Sequence, residues 1–139
     1  MTAYLIDSGF LYGFIDKTDV HHKSVSPVLT SIKSPIYLPV PAVTEVTYFI
    51  SKRLGNDVAA NFLEDLSNTD LILENPTPDD FQRSAEILRK YNDQNIDFVD
   101  ACIVAMAERL NITTILTVDR RHFSVFKPVH CDSFELLPD

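Results

Sequence analysis

Four acidic residues stand in apolar stretches where a solvated carboxylate is not expected: Asp7, Glu45, Asp100 and Asp119. Asp7 closes the run Ala3-Tyr4-Leu5-Ile6, and Asp119 closes Ile115-Leu116-Thr117-Val118. Asp100 lies near the start of Phe98-Val99-Asp100-Ala101-Cys102-Ile103-Val104-Ala105-Met106-Ala107, a pattern apolar on nearly every helical face. Glu45 shares its segment with Val43, Val46, Phe49 and Ile50. Taken singly, each has an ordinary explanation: aspartate is common where a strand stops or a helix starts, and a helical glutamate usually points to water. As a set they are harder to explain, because burying a carboxylate costs several kcal/mol (about that scale) unless it is paired or metal-bound. No Lys or Arg sits in the same apolar runs to pair with them. A divalent cation would relieve the mutual repulsion. Oxygen-only ligands suit Mg²⁺ or Mn²⁺, and such an ion acidifies water and stabilises a leaving oxygen, the requirements of phosphodiester hydrolysis.

The other reactive residue types are less persuasive. His21 and His22 are adjacent in a polar stretch and read as a solvated loop; only His122 lies beside a candidate acid. Asp97 precedes the Asp100 helix by one residue and is expected to cap it, supporting the acids rather than holding an ion itself. Cys102 and Cys131 belong to no C-x-x-C or C-x-x-H spacing, which leaves them as buried, reduced thiols rather than zinc ligands. Aspartyl-phosphate chemistry also uses acids at strand ends, but it calls for an early Asp pair and a late lysine. Here Asp7 is followed by Ser8, and Asp119 by arginines.

An α/β scaffold with a mostly parallel sheet is the natural holder of such acids. Short apolar strands are expected at Ala3–Ile6, Ile36–Leu38, Leu71–Leu73 and Thr114–Val118, with a fifth at Phe134–Leu136. Between them, helices are expected at Ser8–Ile15, from Lys23 to about Lys33, from Pro41 to near Gly55, from Asp57 to Leu66, from Pro78 to Tyr91 and at Phe98–Leu110. Phe81, Ala85, Ile87 and Leu88 should form the apolar side of the Pro78 helix. Chemistry in sheets of this kind gathers beyond the carboxyl ends of the strands, where Asp7 and Asp119 fall.

The chain has 139 residues, 45% hydrophobic and 23% charged, which fits one compact domain. No apolar run approaches a membrane span and the N-terminus has no signal-peptide pattern, so a soluble cytoplasmic protein is expected. The net charge of −8 is unusual for a nucleic-acid binder, since neutralising phosphates supplies most of such affinity. Bound metal would offset part of it, and Lys52-Arg53 with Arg120-Arg121 would provide a local basic rim.

Four segments together carry a specific resemblance: Leu5-Ile6-Asp7-Ser8-Gly9, Thr44-Glu45, Asp97-Phe98-Val99-Asp100-Ala101 and Thr117-Val118-Asp119-Arg120-Arg121-His122-Phe123. In order, spacing and total length the chain resembles a PIN domain, and within that family the VapC-like ribonuclease toxins of prokaryotic toxin–antitoxin modules. The resemblance implies a PIN-like three-layer sandwich spanning residues 1–139, with a sheet of four to five strands flanked by helices. It implies a Mg²⁺- or Mn²⁺-dependent endoribonuclease, homodimerisation and inhibition by a cognate antitoxin. Asp7, Glu45, Asp100 and Asp119 match the family's acidic quartet, as catalytic and metal-holding residues, and Ser8 matches a small hydroxyl residue beside the first acid. An inhibiting segment is expected to present Arg or Lys to those acids. Tyr12, Phe14 and Phe49 are candidates for exposed aromatic contacts between copies. The alternative reading is a catalytically inactive domain that keeps the fold to bind RNA or protein; the presence of all four acids speaks against it.

Overall fold

The computed structural model describes residues 2–139. Five short strands alternate with helices: β1 (Tyr4–Ile6), α1 (Ser8–Ile15), α2 (His22–Ser31), β2 (Ile36–Pro39), α3 (Val40–Leu54), α4 (Asn56–Leu66), β3 (Ile72–Glu74), α5 (Pro78–Lys90), α6 (Phe98–Leu110), β4 (Thr114–Leu116), α7 (Arg120–Val125) and β5 (Glu135–Leu137). They form a single sheet in the order β3-β2-β1-β4-β5, with every pairing parallel.

The side-chain period of two sorts the strands' residues between two layers of helix. On one face Leu5 and Ile115 pack with Ile103, Met106, Ile87 and Phe123, contributed by α6, α5 and α7. On the other, Ile6, Leu38 and Leu116 meet Phe10, Val46, Ile50 and Phe62 from α1, α3 and α4. The sheet is thus the middle of a three-layer sandwich. Residues 101–107 of α6 are buried without interruption, which explains why that helix is apolar all round.

The strand order places a reversal at β1. The chain builds outward from β1 through β2 to β3, then returns to lay β4 on the other side of β1. Parallel sheets open a crevice beyond the strand ends at such a point. Asp7 follows β1 and Asp119 follows β4, with Ile6 in register with Leu116. Gly9 lets the first turn of α1 approach closely there: a Cβ on it would come within 3.0 Å of Val118 Cγ2.

Several boundaries differ from expectation. β4 stops at Leu116, because Thr117 and Asp119 turn the chain into α7, a helix whose six residues carry too few apolar positions to show a period. α2 begins at His22 and ends at Ser31, short of Lys33, and β5 is displaced by one residue to Glu135–Leu137. β3 lies at the sheet edge, leaving Ile72 and Leu73 exposed. Phe81 is 53% exposed rather than part of the core, although its ring stacks on Phe98 at 5.6 Å. Cys102 is buried and Cys131 only half-buried, both as free thiols.

Tyr12 corrects the sequence reading most clearly. It is buried, not exposed, and its hydroxyl donates to Asp16 Oδ2 at 2.6 Å. Thr18 adds its N–H (2.9 Å) and hydroxyl (2.7 Å) to Asp16 Oδ1. The Tyr12 bond, followed by those from Thr18, holds the Asp16 carboxyl below the usual carboxylate range. A depressed carboxylate pKa stabilises the fold above the unfolded-state value and loses that contribution as pH falls through the folded one. Tyr12→Phe is therefore expected to lower stability near neutral pH by about 1.5–3 kcal/mol, the scale of a hydrogen bond to a charged group. Thermal melts between pH 3 and pH 7 would show the deficit shrinking towards the acid end.

Candidate active site

Three of the four acids are held by the starts of helices. Asp7 is the N-cap of α1 and accepts the Ser8 N–H at 2.8 Å. Asp119 is the N-cap of α7 and accepts the His122 N–H at 3.2 Å. Asp100 is the third residue of α6, where it forms a reciprocal cap with Asp97: Asp97 accepts the Asp100 N–H at 3.1 Å, and Asp100 accepts the Asp97 N–H at 3.2 Å. Glu45 comes from the middle of α3 and accepts the Ser8 hydroxyl at 2.7 Å. Capping and convergence are thus compatible. A capping carboxylate uses one oxygen on the helix and leaves the other for a further partner, which for Asp7 is the Thr117 hydroxyl.

A pocket of about 350 Å³ gathers Asp7, Ser8, Glu45, Asp97, Asp100, Asp119 and His122, so every residue singled out from the sequence for this site lines it. A larger, mainly apolar groove of about 520 Å³ opens between α1, α2 and α4, and its lining holds Asp65 and Asp70 but none of the four acids. The four acids gather in the smaller one.

Burial and mutual repulsion set the acids' protonation. Burial pushes the Asp7 carboxyl up to about 6 against the opposing bonds from Ser8 and Thr117, and the charges of Glu45 and Asp119 add to the rise. Burial, then the carboxylates of Asp97 and Asp7, pushes Asp100 up to about 8. Glu45 is raised by burial and by Asp97, with Ser8 working the other way. Among the described residues no Lys or Arg pairs with any of the four, whereas Arg83 is given to Glu108 and Arg109 to Asp80 and Glu74.

Two further residues complete the site. Thr117 is fully buried; its hydroxyl donates to Asp7 Oδ2 at 3.1 Å and accepts the Asp119 N–H at 2.9 Å. One side chain thereby ties the two strand-end acids together. The signal for it was a lone hydroxyl residue inside an apolar run, two positions before Asp119. His122 places Nδ1 2.7 Å from Asp119 Oδ2 and 3.7 Å from Asp100 Oδ2. That nitrogen is buried without a well-directed hydrogen bond, so the contact is one of proximity.

The donor set suits a hard divalent cation: oxygen ligands from several elements, no competing Lys or Arg, and acids whose protonation is raised by burial and by one another. Among the described residues no three His, Cys, Asp or Glu side chains are drawn tightly enough to form a finished ligand shell. The acids border one pocket without closing on a point.

An all-parallel five-stranded sandwich with acids at its switch point is the architecture of the PIN fold, and the family model described as PIN domain matches residues 4–127. The chain belongs to the PIN domain family. It is 32% identical over 134 residues to Ribonuclease VapC26 of Mycobacterium tuberculosis, covering 96% of this chain and 99% of that relative. The fold is shared with the solved structure of VapC20 from the same organism, described as a sarcin–ricin-loop-cleaving toxin. That match has a TM-score of 0.75 at 19% identity over 81% of this chain and 86% of the other. A toxin–antitoxin complex from Klebsiella pneumoniae matches with a TM-score of 0.67 at 18% identity, over 94% and 98% of the two chains. Among the described residues no helix is long and apolar enough to cross a membrane.

Proposed function

We propose that this protein is a metal-dependent endoribonuclease and the toxin of a toxin–antitoxin pair. The observation that carries the proposal is the convergence of Asp7, Glu45, Asp100 and Asp119 on one pocket with no Lys or Arg among its lining. The ribonuclease VapC26, similar over nearly its whole length, supports RNA as substrate, and the Klebsiella complex supports an antitoxin as partner.

Asp7, Asp100 and Asp119, with Glu45, would hold Mg²⁺ or Mn²⁺. Such an ion supplies the positive charge and Lewis acidity that phosphodiester hydrolysis needs. The protein's own part is positioning. Thr117 and the Ser8 N–H fix both oxygens of Asp7, the start of α7 fixes Asp119, and the Ser8 hydroxyl turns Glu45 towards the pocket. Asp97 sets the first turn of α6 and so the orientation of Asp100. Since the carboxylates of Asp7 and Asp100 are protonated more readily than ordinary ones, ion binding must release protons and strengthen as pH rises.

Cleavage of single-stranded or loop RNA is expected in Mg²⁺ or Mn²⁺, falling to background in excess chelator and returning when metal is restored. A gel assay with end-labelled RNA measures this. Cleavage that persists undiminished in chelator would rule the mechanism out.

A further inference from the structure

Helix α3 presents a stripe that the acid site alone does not require. Glu45, Tyr48, Phe49, Lys52 and Arg53 are spaced i, i+3, i+4, i+7 and i+8, which places them on one helical face. The stripe starts inside the acid pocket, because Glu45 and Phe49 both line it. From there it runs outward over aromatic rings to cations. Tyr48 packs edge-on to Phe49 at 5.8 Å and is 57% exposed. Lys52 Nζ lies 3.2 Å from the Tyr48 hydroxyl and 5.5 Å from the ring centre. The Arg53 guanidinium stands 5.4 Å from the Phe49 ring and 5.1 Å from that of Tyr12.

We infer that this face of α3 is the track along which single-stranded RNA enters the acid pocket, with a base against Tyr48 and phosphates against Lys52 and Arg53. The inference rests on the ribonuclease reading and adds the path and strandedness of the substrate. Charge is the first argument. On a chain of net charge −8, Arg83 and Arg109 are consumed by carboxylates and Arg120 by the carbonyls of Leu136 and Pro138. Lys52 pairs with no carboxylate among the described residues, and Arg53, although it reaches Asp19 at 3.8 Å and also acts on Asp16 and the Tyr12 hydroxyl, keeps its side chain 55% exposed. Positive charge is therefore left available beside the pocket, where a polyanion needs it. Ring chemistry is the second argument. An exposed tyrosine face offers stacking to an unpaired base, whereas a duplex keeps its base faces covered. A second copy of the chain fits less well. Such a contact would have to bury the exposed Lys52 and Arg53 along with Tyr48, and the sedimentation measurement below decides between the two occupants.

The test uses the full chain carrying Asp100→Asn, so that bound RNA is cut too slowly to disturb the measurement, and reads the fluorescence anisotropy of a labelled unstructured 12-nucleotide RNA. Adding Tyr48→Ala should weaken binding about tenfold, the scale of one lost base–aromatic stack, and Tyr48→Phe should retain it. Lys52→Gln should reduce the slope of log affinity against log salt by about 0.7, one phosphate contact on a single strand. A duplex of the same sequence should bind alike with and without Tyr48. Unchanged single-strand affinity in Tyr48→Ala would overturn the inference. So would a loss that Tyr48→Phe shares, or one accompanied by a changed sedimentation coefficient, which would assign the face to contact between copies. If the chain with Tyr48 intact binds no RNA, the ribonuclease reading falls and takes this inference with it; if it binds but ignores Tyr48, only the track is wrong.

Discussion

Asp100→Asn is expected to reduce RNA cleavage by on the order of 10²–10³-fold, the scale of losing one electrostatic stabiliser of a transition state, without harming the metal-free fold. The two halves of this expectation have separate causes. Asparagine keeps the size of the side chain and an oxygen that can still accept the Asp97 N–H, so the reciprocal cap at the start of α6 survives. The lost negative charge is the one crowded by Asp97, Asp7 and Asp119, with burial as its largest cost. Removing it spares the apo protein that repulsion, and its melting temperature should stay level or rise by a few degrees (roughly 1 kcal/mol). Cleavage assays paired with circular-dichroism melts in chelator read both effects. A clear drop in metal-free stability with cleavage intact would make Asp100 a structural cap and nothing more.

That double role explains which parts of the site were legible in the sequence. Asp7 and Asp119 invite two readings, helix cap or catalytic acid, and the sequence offers no way to choose because the readings are not rivals: the same side chains cap α1 and α7 and border the pocket. Asp100 was legible for a different reason. An acid in a helix buried from Ala101 to Ala107 has few ordinary uses. The parallel sheet could be anticipated because each strand is a short apolar run, but α7 could not, since six residues with Phe123 as the one buried side chain set no period. Tyr12 was misplaced because α1 is apolar on all sides. In such a helix the exposed ring cannot be picked out by pattern, and what buried this one is a hydroxyl partner, Asp16, one turn later. Thr117 escaped notice because its role depends on β1 and β4 being neighbours, a fact of topology that a sequence separation of 110 conceals.

The same crowding of acids predicts how the metal-free protein responds to pH. Carboxyl groups in the unfolded chain titrate near 3.8, whereas burial and neighbouring charge raise Asp7 to about 6 and Asp100 to about 8 in the fold. Between those limits the folded state holds more protons than the unfolded one, so stability is greatest at the acid end and falls as pH rises through the folded values. This is opposite in sign to the contribution of Asp16, whose depressed carboxyl loses its benefit only at low pH. The metal-free melting temperature should therefore decline from pH 5 to pH 8, by on the order of 5–10 °C for a domain of this size. Asp100→Asn should flatten the upper part of that decline, above pH 6, where Asp7 has already ionised. Saturating Mn²⁺ should oppose it, because the ion binds the ionised acids and adds about 2.7 kcal/mol at a hundredfold excess over its dissociation constant. The added stability should be small at pH 5, where protons occupy the acids, and largest at pH 8. Differential scanning calorimetry across this range, with and without Mn²⁺, supplies the comparison. A metal-free melting temperature that climbs from pH 5 to pH 8 would mean the acids are further apart, or better solvated, than a pocket shared by Asp7, Asp100 and Asp119 allows.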